Sequence, residues 1–396
     1  MTEIITDLPE PDEAHRRGKI QRRLRRSALR APRDAVVAFL VAALVVGLLQ
    51  GASWITGEAA VAAPVEVDED AVFSAVMVGD VMFGRHVERA ADRHGHDWLL
   101  SHVQPLLDAD YVTANLEQVV TERVDELPKA DKLIHLASDR QGVEALHRAG
   151  VTTLALANNH MMDHGIPGLG DTLAALDDIG FEYAGAGMTL EDAVQINYQE
   201  HGELTVATLS FSDAWVAGFV ARAFQGGVLS AERSRTTRLI QEARLNADLV
   251  ITHFHWGKEY GFVPDDRQRE LAELAADAGA HIVIGTHPHV MQAVERIDET
   301  LVLYSLGNFV FDQGFSRTRE TTLVRYELGA DGVGRVEFVP LEIREGAPRI
   351  LSGPLAPYRR ARILGRLEGE GLTWTREGGS LFTEIDHRTV LESVDR

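Results

Sequence analysis

The sequence predicts an α/β protein: two packed sheets covered by helices, carried behind one membrane-spanning helix. Three observations point there. From residue 71 onward, short apolar runs of strand character alternate with segments of helical spacing. The late segment Thr321–Glu345 reads instead as an antiparallel hairpin around a Gly/Asp turn. Ahead of both lies "AVVAFLVAALVVGLL", Ala35–Leu49, without a single polar side chain.

That apolar run extends to Ser53 and is about long enough to cross a bilayer at 1.5 Å per residue. His15–Arg33, just before it, holds nine Lys or Arg and no Asp or Glu, whereas Glu58, Glu66 and Asp68 follow it. By the positive-inside rule the N-terminus is cytoplasmic and the body lies outside a cell membrane crossed once. Small residues at Ala60–Ala63 offer a signal-cleavage site, but they stand far beyond a run that is long for a signal peptide. An uncleaved anchor is therefore expected, and the body is extracytoplasmic in either case. The chain divides into a basic, disordered cytoplasmic segment (1–33), the anchor (34–54) and an acidic, Ala-rich linker (55–70). A folded domain (71–346) and a C-terminal extension (347–396) follow.

Composition narrows the chemistry. Of 396 residues 45% are hydrophobic, which suits a packed core. There is no Cys, so disulfides, zinc thiolates and Cys nucleophiles are excluded. Any metal must be held by His, Asp, Glu or Asn, which favours zinc, manganese or iron. After residue 33 the chain holds 30 basic and 55 acidic residues, a balance of −25. Such a body repels phosphate backbones, and no nucleic-acid partner is expected. No Walker loop and no Gly-x-Ser-x-Gly elbow is present.

The elements justify the fold class in order, and polar residues gather where the strands end. Strand Val72–Gly79 runs into "GDVMFGR", with Asp80 and Arg85. The segment Asp108–Glu117 ends in "ANLEQ", with Asn115 and Glu117. After a helix over Arg140–Gly150, the buried strand Val151–Asn159 opens into "NNHMMDHG", with Asn158, Asn159, His160 and Asp163. A helix over Gly170–Gly180, strands at 181–187 and 203–212, and a helix over Ala231–Ala247 come next. Strand 248–256 carries His253 and His255. Past a helix over Asp266–Ala280, strand 281–287 leads into "IGTHPHVMQ", with His287 and His289. Strand 300–308 closes on "SLGNFVFDQ", with Asn308, Asp312 and Gln313. The tail beyond Pro348 shows only a basic helical stretch, "YRRARILGRLEGEG".

The two His-x-His pairs have a physical use. Residues i and i+2 of an extended chain project to one face, so two imidazoles can approach one metal centre. Pro288 is expected to keep His287 extended, because the residue before proline avoids the helical region. Of His253 and His255, one is expected to stand behind the ligands rather than among them. A carboxylate such as Glu117 or Asp80 can bridge two cations. The expected product is a two-metal site that activates water and clamps a phosphoryl group. Arg85 either contacts an anionic substrate or forms a salt bridge.

In this order, "GDVMFGR", "NLE", "ANNHMMDHG", "HWGKEY", "GTHPHVMQ" and "SLGNFVFDQ" resemble the CapA/PgsA family of poly-γ-glutamate and capsule biosynthesis proteins, over Phe73–Gln313. That family is similar to the calcineurin-like metallophosphoesterases. The resemblance implies a four-layer α/β/β/α sandwich with a dinuclear site for divalent metal ions. It implies Asp80 on the first metal and Glu117 near the bridging position. Asn159, His287 and His255 (or His253) fall on the second metal, and His289 returns to the first. His160 stands where the general acid or phosphate-polarising histidine stands. Apart from the resemblance, Asp163 is expected to be catalytic beside it, and Arg85 and Asn308 to bind substrate. One departure is plain. The phosphoesterase pattern begins Asp-x-His, and here it is Asp80-Val81-Met82. Methionine is a poor ligand for hard cations, so the first metal loses an imidazole.

Two functions remain open on these grounds. One is a membrane-anchored metallohydrolase of capsule or poly-γ-glutamate synthesis or export, acting on a phosphoester or an anionic polymer beside membrane proteins of that pathway. The other is a non-catalytic, polymer-binding or scaffold subunit of a capsule complex on the same fold.

Overall fold

The computed structural model describes residues 71–394 except 215, 217, 315 and 316, together with 34–44 and the single positions 19 and 32. Residues 34–44 are helical, and Val36, Phe39, Leu40 and Leu44 among them are exposed. The rest of the expected span, 45–54, and the linker 55–70 lie outside the described residues. No helix among the described residues is long and apolar enough to cross a membrane.

Sixteen strands build the two main sheets. In chain order they are β1 (Ala71–Val81), β2 (Tyr111–Leu116), β3 (Thr153–Ala155), β4 (Glu182–Ala184), β5 (Asn197–His201), β6 (Leu204–Ser212), β7 (Leu249–His255) and β8 (Ile282–Thr286). Then come β9 (Val294–Ile297), β10 (Thr300–Leu303), β11 (Asn308–Val310), β12 (Glu320–Gly329), β13 (Val333–Arg344), β14 (Ala347–Ile350), β15 (Thr375–Glu377) and β16 (Ser380–Asp386). The larger sheet has the order β15-β16-β13-β12-β1-β2-β3-β4, with β11 also pairing β1 and β14 also pairing β13. The smaller has the order β9-β10-β8-β7-β6-β5. The longer helices are α1 (Arg85–His94), α2 (Gln141–Arg148), α3 (Gly165–Ile179), α4 (Arg233–Asn246), α5 (Asp266–Ala278) and α6 (Ala356–Leu367).

Side-chain alternation decides how these layers stack. On β1, Phe73, Ala75 and Met77 share one core with Ile251, Ile282 and Ile284 of the smaller sheet. The intervening Val76 and Val78 face the other way, onto Val87 of α1 and Val143 and Leu146 of α2. In the smaller sheet Val250 and Val283 turn outward onto Leu239 and Ile240 of α4 and Leu271 and Ala275 of α5. The order is therefore helix, sheet, sheet, helix. Strands buried on both faces read as continuous apolar runs, as "IVIGT" does.

The central strands β1, β2, β3 and β4 run parallel, as do β6, β7, β8 and β10. Their carboxyl ends therefore face the same way within each sheet. The tail contributes more than a helix: β14 and β16 both pair with β13 and extend the larger sheet. Helix α3 begins at Gly165, ahead of the expected Gly170, and ends on Gly180 in a left-handed C-cap.

One close approach fixes the middle of the larger sheet. Asp80 lies opposite both Asn115 and Asn308 in register. The residue before it is Gly79, where an added Cβ would stand 1.9 Å from the Gly307 carbonyl oxygen. That neighbour is backbone and cannot swing away. Gly79→Ala is expected to lower the free energy of unfolding by about 1–3 kcal/mol, as overpacking does. Denaturant unfolding of the variant beside the wild type measures it; equal midpoints would contradict the close approach.

Candidate metal centre

Five buried ligand-type side chains meet at the carboxyl ends of the central strands. Asp80 lies one residue before the end of β1, and Glu117 follows β2 directly. His255 is the last residue of β7, and His287 and His289 follow β8. Ligand atoms of Glu117, His255 and His287 lie within 4.8 Å of one another, and so do those of Asp80, Glu117 and His289. Glu117 belongs to both groups. Its Oε1 is 3.7 Å from Nε2 of His255, 3.7 Å from Nε2 of His289 and 3.9 Å from Nε2 of His160. These gaps are too long for hydrogen bonds and suit an intervening cation.

The decisive feature is that neither oxygen of Glu117 has a hydrogen-bond partner, and His287 Nδ1 has none either. A buried carboxylate without donors or a counter-charge costs several kcal/mol. A set of carboxylate oxygens and imidazole nitrogens fits divalent cations such as zinc, manganese or iron. The residues present thus fit divalent cations, and Glu117 is available to both ligand groups.

A polar frame holds the ligands. Asn115 Nδ2 donates to Asp80 Oδ1 at 2.8 Å. Asn158 Nδ2 donates to Leu116 O at 2.8 Å, and its Oδ1 accepts the N–H groups of His160 and Met161, each at 3.0 Å. This Asx-type turn shapes the loop after β3. His289 Nδ1 lies 2.8 Å from Asn308 Oδ1, and His255 Nδ1 lies 3.1 Å from Thr286 Oγ1. Placing the His289 ring proton at Asn308 leaves its Nε2 bare toward Glu117, and His255 also turns Nε2 toward Glu117.

The electrostatics agree with ligand roles. Burial keeps His287 and His255 neutral, lowering His287 to about 3. Their lone pairs are available at neutral pH. Burial opposes charge on His289 too, but Glu117 and Asp80 outweigh it and push that ring up to about 9. Burial holds the Glu117 carboxyl well above the usual range, against the pull of His289 and with the push of Asp80. The pair therefore shares a proton when no cation is bound.

Beside the ligands sits a dyad. His160 Nδ1 lies 2.7 Å from Asp163 Oδ2, which also accepts the Leu136 N–H at 2.7 Å. Lys132 Nζ donates to Asp163 Oδ1 at 2.6 Å and to Asn159 O at 2.7 Å. With Asp163 Oδ2 as its acceptor, the His160 proton is placed on Nδ1, and Nε2 faces Glu117. Burial lowers the His160 pKa, with Asp163 opposing. Lys132 carried no signal in the sequence: "ELPKADKLIH" has neither periodicity nor a motif.

The structure sorts the expected residues. Asp80, Glu117, His255, His287 and His289 come together. Asn159 joins them, its Oδ1 2.9 Å from His255 Nε2. His253 does not. It shares a face with His255, as the spacing predicts, but lies one pleat deeper and meets Thr113 Oγ1 at 3.1 Å. Asn308, expected on the substrate, is fully buried and spends its amide on His289 and on the Thr318 carbonyl. Arg85, the other expected substrate contact, engages Asp312 through Nε at 3.0 Å and through its second nitrogen. Met82 is buried in the helix-side core and takes no part.

Pro288 does not keep its neighbour extended. His287 has φ 93° and His289 φ 57°. The chain has to turn at each to bring both rings to the same carboxylate, and the backbone bears that strain at the site. Arg85 (φ 58°) and Tyr260 (φ 63°), at the rim, share it.

Comparison with known proteins follows this geometry. Residues 74–313 match the model of the family described as "Bacterial capsule synthesis protein PGA_cap". The chain is 40% identical over 363 residues to the "Capsule biosynthesis protein CapA" of Bacillus anthracis, covering 90% of this chain and 88% of that one. It is 41% identical over 332 residues to the "PGA biosynthesis protein CapA" of Bacillus subtilis (strain 168), covering 83% and 87%. Among solved structures, a 5'-nucleotidase precursor from Thermus thermophilus aligns with TM-score 0.39 and 12% identity over 74% of this chain and 58% of that one. The calcineurin-like phosphoesterase YfkN from Bacillus subtilis aligns with TM-score 0.37 and 12% identity over 82% and 99%.

Two outcomes follow for metal binding. His287→Ala/His289→Ala should abolish bound metal, read by elemental mass spectrometry, in a chain that still gives the wild-type circular dichroism. Metal retained in that folded variant would refute the assignment. Affinity should also depend on pH. His289 carries a proton up to about pH 9 when no cation is bound, so a cation must displace it. Metal affinity should rise from neutral pH to about 9 and level off above; a flat profile would contradict the protonated pair.

Proposed function

We infer the function of this chain from one premise: it belongs to the bacterial capsule synthesis protein family. On that premise, it is a metal-dependent, phosphoesterase-like hydrolase. It is anchored in the cell membrane with its body outside, and it serves synthesis or export of an anionic capsule polymer of the poly-γ-glutamate kind. The observation that carries the hydrolytic part is the buried, unpartnered carboxylate of Glu117 shared by two ligand groups. Support for the anchor is the apolar run Ala35–Leu49 behind a basic segment, helical over 34–44. The polymer comes from the printed names of the two Bacillus relatives.

Divalent cations held there by Asp80, Glu117, Asn159, His255, His287 and His289 would polarise the bond to be broken and make water more acidic. The chain's residues do the rest. Glu117 and Asp80 hold the negative charge that keeps the cations together. His255, His287 and His289 supply neutral nitrogens, and Asn159 an amide oxygen. His160, whose Nδ1 proton is held at Asp163, would take a proton from the attacking water at Nε2 and pass it to the departing oxygen. Asp163, fixed by Lys132 and by the Leu136 N–H, stabilises the imidazolium in that step. Arg85 is steadied by Asp312 at the rim.

One observation favours a second reading, a non-catalytic polymer-binding subunit. Met82 stands where the phosphoesterase pattern has a histidine, and its side chain is packed in the core. The Asp80 group is left with a single imidazole.

His160→Ala separates the two. If the centre is hydrolytic, kcat on a phosphodiester or poly-γ-glutamate substrate falls about 10²–10⁴-fold, with metal content unchanged. Full restoration of capsule by His160→Ala in a strain lacking the protein, together with no turnover by the wild type, would leave only the scaffold reading.

A further inference from the structure

A basic strip lies beside the metal centre, on a body whose balance is −25. Helix α6 buries Ile363, Leu364 and Leu367 in the core between the sheets. Arg359, Arg362 and Arg366 are only partly buried and follow helical spacing on that helix. Below them, Glu320 on β12 and Glu342 on β13 stand opposite each other in register. Arg362 and Arg366 both engage Glu320. Arg344 and Arg359 both engage Glu342, at 2.5 and 2.6 Å. Each carboxylate therefore has two guanidiniums. Arg317 adds a fifth, exposed and without a carboxylate partner among the described ion pairs, 5.3 Å from the Phe262 ring centroid. Five cations over two carboxylates leave three positive charges unbalanced. Arg362 Nε and Arg366 Nη2 have no hydrogen-bond partner.

The strip is interleaved with rings and leads to the site. Arg362 lies over Tyr358 at 5.5 Å, and Arg366 joins Arg317 over Phe262 at 5.2 Å. Two residues before Phe262 is Tyr260, whose ring centroid is 6.4 Å from that of His289. One residue after Arg317 is Thr318, whose carbonyl accepts from Asn308, the partner of His289.

We propose that the strip formed by Arg317, Arg344, Arg359, Arg362 and Arg366 binds a linear polycarboxylate and lays it toward the metal centre. The inference rests on the capsule-polymer reading above and gives that polymer a place on the surface. Guanidinium forks match carboxylates, and Glu320 and Glu342 show such pairs already formed here. Tyr358 and Phe262 offer apolar faces for the methylenes between charges. The rest of the body repels a polyanion, which confines it to this track. A bilayer fits less well, because the apolar face of α6 is already spent in the core.

The test uses full-length protein in detergent and fluorescently labelled poly-γ-glutamate, read by anisotropy against salt. The variant is Arg317→Gln/Arg359→Gln/Arg362→Gln. It leaves Arg366 on Glu320 and Arg344 on Glu342, so each carboxylate keeps one of its two ion pairs. The wild type should bind, more weakly as salt rises, and the variant about tenfold more weakly. A control, Arg123→Gln/Arg148→Gln/Arg238→Gln, removes three cations elsewhere and should bind as the wild type does. Three outcomes would overturn the proposal: no binding by the wild type, equal affinity of wild type and strip variant, or arginine-dependent binding to phosphatidylglycerol vesicles in place of the polymer. Because binding is read rather than turnover, polymer capture without hydrolysis counts against the hydrolase reading alone. Hydrolysis without arginine-dependent capture counts against the strip alone.

Discussion

A single buried carboxylate sets the terms for this structure. Glu117 emerges from β2 where the two sheets meet, shut off from water, with no donor on either oxygen. A charge in that position is tolerable only beside compensating charge. Without a cation, that charge comes from a protonated His289, which is why burial fails to keep this ring neutral. His255 and His287 are kept neutral by burial. One environment thus divides three imidazoles into a proton carrier and two ready lone pairs, and a cation would replace the proton rather than add to it.

The fold bears strain and polar burial to bring this about. Asp80 and its two asparagine neighbours occupy one row across β2, β1 and β11, and the row closes only because Gly79 lets β1 approach the Gly307 backbone. His287 and His289 hold left-handed backbone angles that most residues avoid. Asn308 and Thr286 then orient the rings from behind. From behind the rings, they leave the ligands little freedom. That is the condition under which a site can select cation geometry.

Much of this was legible in the sequence, for definite reasons. Polar residues after apolar strands marked Asp80, Glu117, Asn159, His255, His287 and His289, because parallel strands put their carboxyl ends on one side. The same rule misjudged Asn308, since position at a strand end does not tell whether a side chain points into the cleft or behind a ligand. It also could not separate His253 from His255. Both lie on one face, and only the depth of the pleat decides which reaches the centre. Pro288 misled because a local preference yielded to the demand of two rings for one carboxylate. Lys132 was invisible, since a lone lysine in an irregular loop has no pattern. The C-terminal strands were missed because β14 and β15 are short and take their stability from the edge they join.

The two ligand groups are not equivalent, and the difference bears on what the protein can attract. The Asp80 group offers two carboxylates and one imidazole, and Met82 contributes nothing. The second offers one carboxylate, two imidazoles and the Asn159 amide. The first is the harder, oxygen-rich site, and the second favours a softer ion. Across both groups the protein supplies only the two negative charges of Asp80 and Glu117. Two divalent cations, as proposed, would leave the centre with two positive charges in a region of low dielectric. An anionic ligand neutralises that excess, whereas a neutral one leaves it standing. The acidic body repels a polyanion over most of its surface while the centre, and the arginine strip beside it, draw one in. The negative charge of the body and the positive charge of the cleft therefore act together: the first prevents binding elsewhere, and the second gives the chain one place to bind.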